Sequence, residues 1–457
     1  MINFINISNA KAVICDEKYL NNLLNNKEKL KNEILFVNID SDSSSDDICA
    51  LKSLVENGLN KVADGLTAFR DIEINPDDMH VLLFTSGTTG NAKGICLSHK
   101  NICSNIMSVA QIVKVDKSTV VLSILPIHHT YECTLGHLLP LYGGGTVTYC
   151  DGLRYINKNI NEYKPSFVIC VPLLLENIHK KIVKTLQKAL PTKYFNNDKH
   201  FLDNMPPVLR FFVRNKIKKS LGGNLRTFIV GAAAIDPNII ESFYKIGFKA
   251  LQGYGLTECS PLVAGNNDFF YKADSVGLPI PNVEYKINNP DDQGVGEIIV
   301  KGPNVMLGYY NNESATAQAF KEGWFCTGDL GRFGKDGSLF ITGRKKDLIV
   351  LSNGKKVFPE EIEALINKID IVEESMVYED NDKICAEIVY SKDNMEKNNL
   401  ATVDDVRSVI EEEIKIINKN LPIYKYIREF SLTDVPLIKT TTQKIKRHEE
   451  MKKIKGE

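Results

Sequence analysis

Several features that would assign the chain to a simple class of protein are absent from its sequence. No apolar run reaches the ~20 residues that a helix needs to cross a membrane. The first residues, MINFINISNAKAVICDEK, lack the basic and long apolar segments of a secretory signal. The ten cysteines form no CxxC pair and no metal-ligand spacing, which favours reduced cytosolic thiols. We therefore expect a cytoplasmic protein without a transmembrane segment.

An excess of charge of one sign is also absent. The chain carries 56 Lys and Arg against 57 Asp and Glu, a formal net charge of −1. This balance predicts no general attraction to nucleic acid or to anionic lipid. The Lys-rich end, KIKRHEEMKKIKGE, is interpreted as a solvated and partly frayed tail.

What is present is typical of a large globular protein. Of 457 residues, 43% are hydrophobic and 25% are charged, enough to bury large cores and to form at least two domains. Short β-branched runs alternate with helical stretches from VLLF (81–84) to TFIVGAA (227–233). This alternation predicts an α/β fold whose parallel sheet has crossover helices and carries ligand loops at the carboxyl ends of its strands. From about 275 to 342, glycine-punctuated strands predict a small β-rich subdomain without helices.

A domain boundary is predicted near Arg344 to Asp347. Beyond it, the sequence predicts a hairpin over 348–357, then a helix, two strands and a further helix. The predicted fold therefore consists of a large N-terminal domain of parallel-rich α/β layers over 1–345, which includes the β-rich subdomain, and an α+β C-terminal domain over 346–457.

A loop rich in hydroxyls and glycine follows the apolar run at 81–84. Its residues are Thr85, Ser86, Gly87, Thr88, Thr89 and Gly90, and Lys93 and Gly94 complete the run TSGTTGNAKG. Because a helical run starts at Ser98, the context is interpreted as strand, loop and helix. Glycine lets backbone N–H groups turn toward an anion, while hydroxyls and a lysine add donors and charge, so the loop predicts a phosphate cradle. Its spacing is not that of a Walker A loop, and an ordinary turn would account for the same cluster.

Seven further motifs follow this loop in order. They are LPIHHTYE (125–132), GAAAI (231–235), QGYGLTECSP (252–261), GEIIVKGPNVMLGYY (296–310), GWFCTGDLG (323–331), GRKKDLIVLSNGKKVFPEEIE (343–363) and KTTTQKIKR (439–447). From about Ile34 to Arg447, the chain resembles the adenylate-forming superfamily of acyl-CoA synthetases, nonribosomal peptide adenylation domains and luciferases, and most closely the long-chain acyl-CoA synthetases. The resemblance implies that ATP activates a carboxylate as acyl-AMP. It also implies that the C-terminal domain is a mobile lid with its hinge at Lys346.

The resemblance implies that QGYGLTE binds the nucleotide. Glu258 would hold Mg²⁺, since this metal takes hard oxygen ligands, together with the Thr85 hydroxyl. Thr257 would offer a hydroxyl to the α-phosphate, and Tyr254 a flat face to adenine. The remaining nucleotide-binding residues of the motif are Gln252, Gly253 and Gly255. Taken alone, the segment would also fit a strand-to-turn connection with a surface acid.

Two further motifs are assigned to the adenosine. The small residues Gly231, Ala232 and Ala233 permit close approach by a planar base, although packing alone explains them equally well. By resemblance, Asp329 accepts hydrogen bonds from both ribose hydroxyls, because a carboxylate has two acceptor oxygens. The resemblance implies that Arg344 supports the same ribose. A structural ion pair is the alternative role for either charged residue.

Two residues of the C-terminal domain are assigned to successive steps. Lys444 aligns with the lysine that the lid brings over the α-phosphate during adenylation. The alternative is one tail lysine among many, and Gln443 stands where the family often has glycine. Gly354, in the SNGKKVFPEE loop, would let the backbone approach the pantetheine arm of coenzyme A once the lid has rotated.

The acyl site is assigned from LPIHHTYE, which resembles the LPLAHxxE form of long-chain synthetases. His129 and Glu132 match its histidine and glutamate, and His129 is assigned to the border of the acyl pocket, with a structural role as the alternative. The sole tryptophan is Trp324, which excludes the tryptophan gate that some long-chain relatives carry before the position of Leu221. Because family members have a much longer stretch before the phosphate loop than the 84 residues here, we expect a shortened N-terminal domain.

Three functional hypotheses stay open. The first is a long- or medium-chain fatty acyl-CoA synthetase that uses fatty acid, ATP, Mg²⁺ and coenzyme A. The second is an acyl-adenylating enzyme that loads the thiol of a carrier protein. The third is a truncated, inactive nucleotide-binding relative. The resemblance also allows a homodimer, and none of the three hypotheses involves nucleic acid.

Overall fold

The computed structural model describes residues 1–45, 47–85, 93–195, 200–398, 400–439 and 445–456. The N-terminal residues form a small parallel sheet. Its strand order is β1-β2-β3, and its core contains Leu20, Leu23 and Phe36. The elements are α1 (Ile2–Ser8), β1 (Ala12–Cys15), α2 (Glu17–Leu24), β2 (Leu35–Asn38), β3 (Ile48–Ala50) and α3 (Leu51–Ala63). No helix among the described residues has the length and apolar content needed to cross a bilayer.

The hydroxyl-rich loop connects two antiparallel strands. β4 (Met79–Thr85) pairs with β5 (Lys93–Ser98), so that Thr85 lies opposite Lys93. Helix α4 (His99–Ile112) starts only after β5, where Ser98 and Asn101 form a capping box. The predicted order of strand, loop and helix is therefore wrong, and so is the place of 81–84 in the parallel sheet. The physical reason is that GICL after the loop forms a strand, which buries Ile95 and Leu97.

The central sheet has the predicted parallel architecture. Its strand order is β7-β6-β8-β9-β10-β11-β12. The strands from β7 to β10 are parallel to one another. β11 pairs antiparallel with β10, and β12 pairs antiparallel with β11. The elements are β6 (Val120–Ser123), a π-helix (Tyr131–Leu138), α5 (Leu139–Tyr142), β7 (Thr146–Tyr149), α6 (Ile156–Tyr163), β8 (Phe167–Cys170), α7 (Pro172–Ala189), α8 (Pro207–Ser220), β9 (Thr227–Val230), α9 (Pro237–Ile246), β10 (Lys249–Gly255), β11 (Leu262–Gly265) and β12 (Leu278–Pro279).

Both faces of this sheet are buried. In β8, Phe167 and Ile169 join the core that includes α4 and the π-helix, whereas Val168 and Cys170 join the core built with α6 to α9. Near-continuous apolar strands are typical of a parallel sheet covered on both sides. The apolar runs in the sequence therefore predicted these strands correctly.

The region from 275 to 342 is rich in strands, as predicted, but it contains one helix. Its larger sheet has the order β13-β14-β17-β16, and β18 also pairs with β17. The elements are β13 (Glu284–Asn288), β14 (Gly296–Lys301), β15 (Gly308–Tyr309), α10 (Glu313–Ala319), β16 (Phe320–Lys321), β17 (Trp324–Phe333) and β18 (Leu339–Arg344). The prediction that helices stop here is wrong, because Asn312 caps α10 by accepting the amide of Ala315. β15 lies outside this sheet and pairs with β5.

The C-terminal part contains the predicted hairpin and a sheet of order β21-β22-β23. Its elements are β19 (Ile349–Val350), β20 (Lys356–Val357), α11 (Pro359–Ile366), β21 (Val372–Asp380), β22 (Lys383–Tyr390), α12 (Lys392–Lys397), α13 (Val403–Lys419), β23 (Ile427–Thr433) and α14 (Arg447–Lys455). The interpretation of the Lys-rich end as a frayed tail is wrong, because residues 447–455 form a helix that packs on the sheet. In that helix Glu450 is fully buried and accepts the amide of Ile438 at 2.7 Å.

Arg447 anchors this last helix. Its Nη2 donates to both carboxylate oxygens of Glu363 at 2.6 and 2.7 Å, and its Nη1 donates to the carbonyl of Val377 at 3.0 Å. Its Nε lies 3.8 Å from a carboxylate oxygen of Asp347. Burial raises the pKa of Glu363 even though Arg447 opposes the rise. Loss of Arg447 would therefore leave a buried carboxylate without its counter-charge.

We expect Arg447→Met to destabilise the C-terminal part by about 3–5 kcal/mol, the usual cost of removing one partner of a buried ion pair. Amide hydrogen exchange of β21 and β22 measures this effect separately from the rest of the chain. The matched control is Lys446→Met, because Lys446 pairs with Glu449 at the surface and such pairs contribute about 1 kcal/mol or less. Adding Glu363→Gln to Arg447→Met should recover part of the loss. Equal exchange in the two single variants would contradict the role of Arg447.

Candidate active site

The predicted ligand edge lies where β8, β9 and β10 end. There the Tyr131 hydroxyl donates to the carbonyls of Ile229, at 3.0 Å, and Cys170, at 3.3 Å, so the π-helix crosses the ends of two neighbouring strands. GAAAI follows β9 directly. Ala232 and Ala233 are exposed, and Ala232 has a left-handed backbone with φ of 74°. These small residues therefore form an open surface at the carboxyl edge of the sheet.

The QGYGLTE segment turns back on itself at Gly255, the last residue of β10. The amide of Leu256 donates to the carbonyl of Pro261 at 2.9 Å. A Cβ on Gly255 would lie 2.0 Å from the same carbonyl oxygen, so only glycine fits between the two backbone segments. The turn leads into a short 3₁₀ helix, Thr257–Cys259, that carries Thr257 and Glu258.

Gly255→Ala should destabilise the protein, because the added methyl group meets backbone that cannot move aside. We expect a loss of about 1–3 kcal/mol in unfolding free energy, measured by denaturant titration. The control is Gly223→Ala, since Gly223 has open space around its Cβ position and φ of +80°, so that it reports the cost of backbone strain without a clash. A loss no larger than that of the control would contradict the close contact with Pro261.

Glu258 lies in a cluster with one tyrosine and one lysine. The Tyr309 hydroxyl donates to Glu258 Oε1 at 3.2 Å, and Lys93 Nζ lies 4.7 Å from the centre of the Tyr309 ring. Burial raises the pKa of Glu258. Thr85, the first residue of the hydroxyl-rich loop, pairs with Lys93 and therefore lies near the same cluster.

Asp329 is the centre of a second cluster. It is 6% exposed, accepts the Tyr254 hydroxyl at 2.8 Å, and lies 3.2 Å from Arg344 Nε. Tyr254 has its ring in the core rather than on an open surface, and burial raises the pKa of its hydroxyl well above the usual range. The structure thus brings together three predicted nucleotide-binding residues.

The other predicted residues have different surroundings. Gln252 is buried and Gly253 packs against Leu262. Gly354 lies in the β19–β20 turn with φ of +76° and open space at its Cβ position, and no described contact joins it to either cluster. His129 is half-buried, and its ring centre lies 4.3 Å from that of His128. Residues predicted from sequence that lie outside the described part of the chain are Ser86, Gly87, Thr88, Thr89, Gly90 and Lys444.

Comparison with known proteins assigns the family. A family model described as AMP-binding enzyme matches residues 1–310, which is more than half of the chain. The chain belongs to the AMP-binding enzyme family. A second model, the AMP-binding enzyme C-terminal domain, matches residues 346–457.

Curated members of the AMP-binding enzymes are similar over much of the chain. Fatty acyl-CoA synthetase B of Dictyostelium discoideum is 29% identical over 84% of this chain and 63% of its own length. The peroxisomal long chain acyl-CoA synthetase 6 of Arabidopsis thaliana is 33% identical over 67% of this chain and 46% of its own length. A chloroplastic long-chain-fatty-acid–[acyl-carrier-protein] ligase of the same plant is 28% identical over 76% of this chain and 56% of its own length. The chain thus spans about half to two thirds of the length of these relatives.

Solved structures of adenylate-forming enzymes share the fold. An anthranilate CoA ligase in complex with anthranoyl-AMP matches with a TM-score of 0.75 and 19% identity, covering 99% of this chain and 80% of that one. ATP-bound MatB from Rhodopseudomonas palustris matches with a TM-score of 0.72 and 24% identity, covering 98% of this chain and 80% of that one. These similarities confirm the predicted α/β architecture.

Two residues of this AMP-binding enzyme have contacts that the sequence did not predict. Tyr309 lies within the GYY motif, which the sequence marked without assigning a role to the tyrosine. Glu132 lies within LPIHHTYE, and the structure buries its side chain completely. The sequence marked Glu132 only by its match to the glutamate of LPLAHxxE and assigned it no role.

The Glu132 carboxylate is buried, and no described donor makes a well-aligned hydrogen bond with it. The Ser123 hydroxyl and the amides of Ile124 and Leu125 face it, but none meets hydrogen-bond geometry with either oxygen. The carboxylate packs against Gly136, where a Cβ would lie 2.6 Å from Oε1. Burial therefore raises the pKa of Glu132 to about 7, although these donors oppose the rise.

This pKa predicts how Glu132 affects stability. Between its usual value of 4.5 and about 7, the folded chain holds a proton that the unfolded chain has lost, so the group destabilises the fold increasingly as pH rises through this window. Glu132→Gln, which does not titrate, should therefore gain roughly 3 kcal/mol relative to the native chain between pH 4.5 and pH 8. Denaturant titrations at both pH values measure this gain. Glu284→Gln, which removes an exposed carboxylate, is the control. A difference for Glu132→Gln that stays constant with pH would contradict the raised pKa.

Proposed function

We propose that this chain joins a fatty acid carboxylate to AMP and then transfers the acyl group to the thiol of coenzyme A. In the first step a carboxylate oxygen attacks the α-phosphorus of ATP and pyrophosphate leaves. In the second step the thiolate sulfur attacks the acyl carbon and AMP leaves. The observation that carries the proposal is the contact of Asp329 with both Tyr254 and Arg344, in a chain that belongs to the AMP-binding enzymes.

The two clusters have the chemistry that these steps require. Asp329 keeps acceptor capacity beyond its bonds to Tyr254 and Arg344, because an ionised carboxylate has about four lone-pair sites, and we assign it to the ribose hydroxyls. Arg344, 3.2 Å from Asp329, is assigned to orient that carboxylate. Thr257, with the lysine and hydroxyls of the loop that starts at Thr85, is assigned to the phosphates, where charge builds up during the attack.

Mg²⁺ is assigned to Glu258 and the Thr85 hydroxyl. The Glu258 carboxylate fits this role. Burial disfavours its charged form and raises its pKa, and a bound divalent cation would stabilise that charged form. Among the described residues no group of three or more His, Cys, Asp and Glu side chains could hold a metal ion alone, and Mg²⁺ commonly takes only one or two carboxylates together with substrate phosphates. When bound, Mg²⁺ would neutralise charge on the phosphate oxygens.

We assign the two steps to two positions of the C-terminal part. Residues 1–345 form the nucleotide-binding domain in this proposal, and residues 346–457 form a lid that turns about Lys346. The match of the C-terminal family model to 346–457 supports this division. Lys444 is assigned to the adenylation step, and Gly354 to the approach of coenzyme A. His129, at the ligand edge of β6, is assigned to the border of the acyl pocket.

The fatty acid is proposed from the names of the relatives, which include long-chain acyl-CoA synthetases. A second acceptor, the thiol of an acyl carrier protein, is supported by similarity to the acyl-carrier-protein ligase of Arabidopsis. A cytoplasmic location is supported by ten free cysteines.

Carboxylate-dependent exchange of pyrophosphate into ATP tests the proposal, with acids from acetate to palmitate. Exchange that peaks with a long acid, together with AMP release that depends on coenzyme A, would support the fatty acyl-CoA synthetase. Release that depends instead on a carrier protein would support the second acceptor. Binding of ATP without exchange for any acid would identify an inactive nucleotide-binding relative and overturn the proposal.

A further inference from the structure

Helix α8 has an exposed apolar surface at its N-terminal end. The side chains of Val208, Phe211 and Phe212 are 69%, 61% and 63% exposed. On the opposite side, Val213 and Ile217 pack in the core that α8 shares with α7 and α9. The helix is therefore held to the protein by one face and presents three large apolar groups to solvent on the other.

The same helix concentrates positive charge. Its 14 residues include five basic side chains and no acidic one: Arg210, Arg214, Lys216, Lys218 and Lys219. Arg210 is turned toward the protein, where it donates to the carbonyls of Asp203 and Met205. Of the other four, Arg214 is half-buried with its Nε enclosed, Lys216 and Lys219 are exposed, and none forms an ion pair with a described residue. Helix α13 differs, because it mixes acids with bases and its Lys415 pairs with Glu412.

Helical spacing places apolar and basic groups on one surface. Positions 208, 211, 212, 215, 216 and 219 recur at intervals of three or four residues, which lie on the same side of a helix. We define the α8 surface as Val208, Phe211, Phe212, Lys216 and Lys219, all of which are exposed. Aromatic and basic side chains together are typical of helices that lie in the interface of a bilayer.

We propose that the α8 surface docks on an anionic lipid bilayer. Phe211, Phe212 and Val208 would enter the boundary between headgroups and acyl chains, while Lys216 and Lys219 contact lipid phosphates. The net charge of −1 does not oppose this contact, because salt screens charges beyond about 10 Å. The attraction therefore depends on the basic residues of α8 itself and not on the charge of the whole chain.

Charge favours a bilayer over a second copy of the chain as the occupant. In a two-fold symmetric dimer the same patch contacts itself, so each copy would bring two further lysines and no carboxylate of α8 to the contact. An anionic bilayer offers opposite charge to the lysines and an apolar layer to the phenylalanines. Docking does not depend on the proposed reaction, so binding alone can test it.

The test is co-sedimentation of the full chain with vesicles of phosphatidylcholine, with and without phosphatidylglycerol. We expect binding to vesicles that contain phosphatidylglycerol, weaker binding at high salt, and little binding to phosphatidylcholine alone. Phe211→Ser with Phe212→Ser, and separately Lys216→Glu with Lys219→Glu, should each weaken binding by about tenfold or more. Thermal unfolding of these variants should match that of the native chain, because all four side chains are exposed.

Two matched controls change the same groups elsewhere. Phe269→Ser removes a phenylalanine that is 81% exposed, and Lys415→Glu with Lys419→Glu reverses two exposed lysines of α13. Neither control should change vesicle binding. The proposal is overturned if the native chain does not bind anionic vesicles, or if controls and α8 variants lose binding equally. It is also overturned if sedimentation velocity without lipid shows self-association that Phe211→Ser with Phe212→Ser abolishes, because the surface then serves a second copy.

Discussion

Lys444→Ala should reduce acid-dependent pyrophosphate exchange by about a thousandfold, the loss expected when a group that stabilises transition-state charge is removed. Thioester formation from presynthesised acyl-AMP and coenzyme A should stay close to the native rate, because that step forms no bond to phosphorus. Lys444 lies outside the described residues, but Arg447, three positions later, is fixed by Glu363 and Val377. Arg447 is therefore anchored to the C-terminal sheet.

This split between the two steps separates a reacting lysine from a lysine that supports the fold. Lys446→Ala is the matched control, since Lys446 pairs with Glu449 near the surface, and we expect it to change neither step. Equal loss of both steps in Lys444→Ala would reject its assignment to adenylation. Arg447→Met should slow adenylation as well, but it should also raise hydrogen exchange in β21 and β22, which Lys444→Ala should not do.

Glu258→Gln should lower pyrophosphate exchange by about a hundredfold to a thousandfold and raise the Mg²⁺ concentration needed for half of the maximal rate. The amide keeps the shape of the carboxylate and can still accept the Tyr309 hydroxyl, so the change removes mainly the charge. Because burial raises the pKa of Glu258, the neutral amide should leave the protein at least as stable as before at pH 8. Lower activity with undiminished stability is typical of a residue that is kept for function.

Exchange assays over a Mg²⁺ titration and denaturant titrations at pH 8 measure the two effects. Glu284→Gln, an exposed carboxylate on β13, is the control and should alter neither. An unchanged Mg²⁺ titration for Glu258→Gln would reject the metal assignment. A loss of stability together with a loss of activity would instead indicate a structural role for the contact with Tyr309.

The predictions from sequence succeeded where the signal is local. The parallel strands of the central sheet were predicted because their apolar runs are short, bounded by turns and followed by helical periods. The predictions failed for 81–84, for the C-terminal end and for 275–342, where α10 forms. In the first case, the segment after the loop forms strand β5, which pairs with β4 and also with the distant strand β15. Whether such a segment becomes a strand depends on partners that are far away in the sequence. In the second, a helix with many lysines is ordered because Glu450 and Arg447 are buried against the sheet.

The sequence by itself determined the family, the order of the motifs and the positions of the parallel strands, because these depend on residue identity and on spacing along the chain. Only the tertiary structure decided which side chains meet. Tyr309 reaches Glu258 across 51 positions, Tyr254 reaches Asp329 across 75, and Arg447 reaches Glu363 across 84. The tertiary structure also decided that Phe211 and Lys216 are exposed. Burial depends on how elements that are far apart in the sequence pack together, and a local sequence pattern does not contain this information.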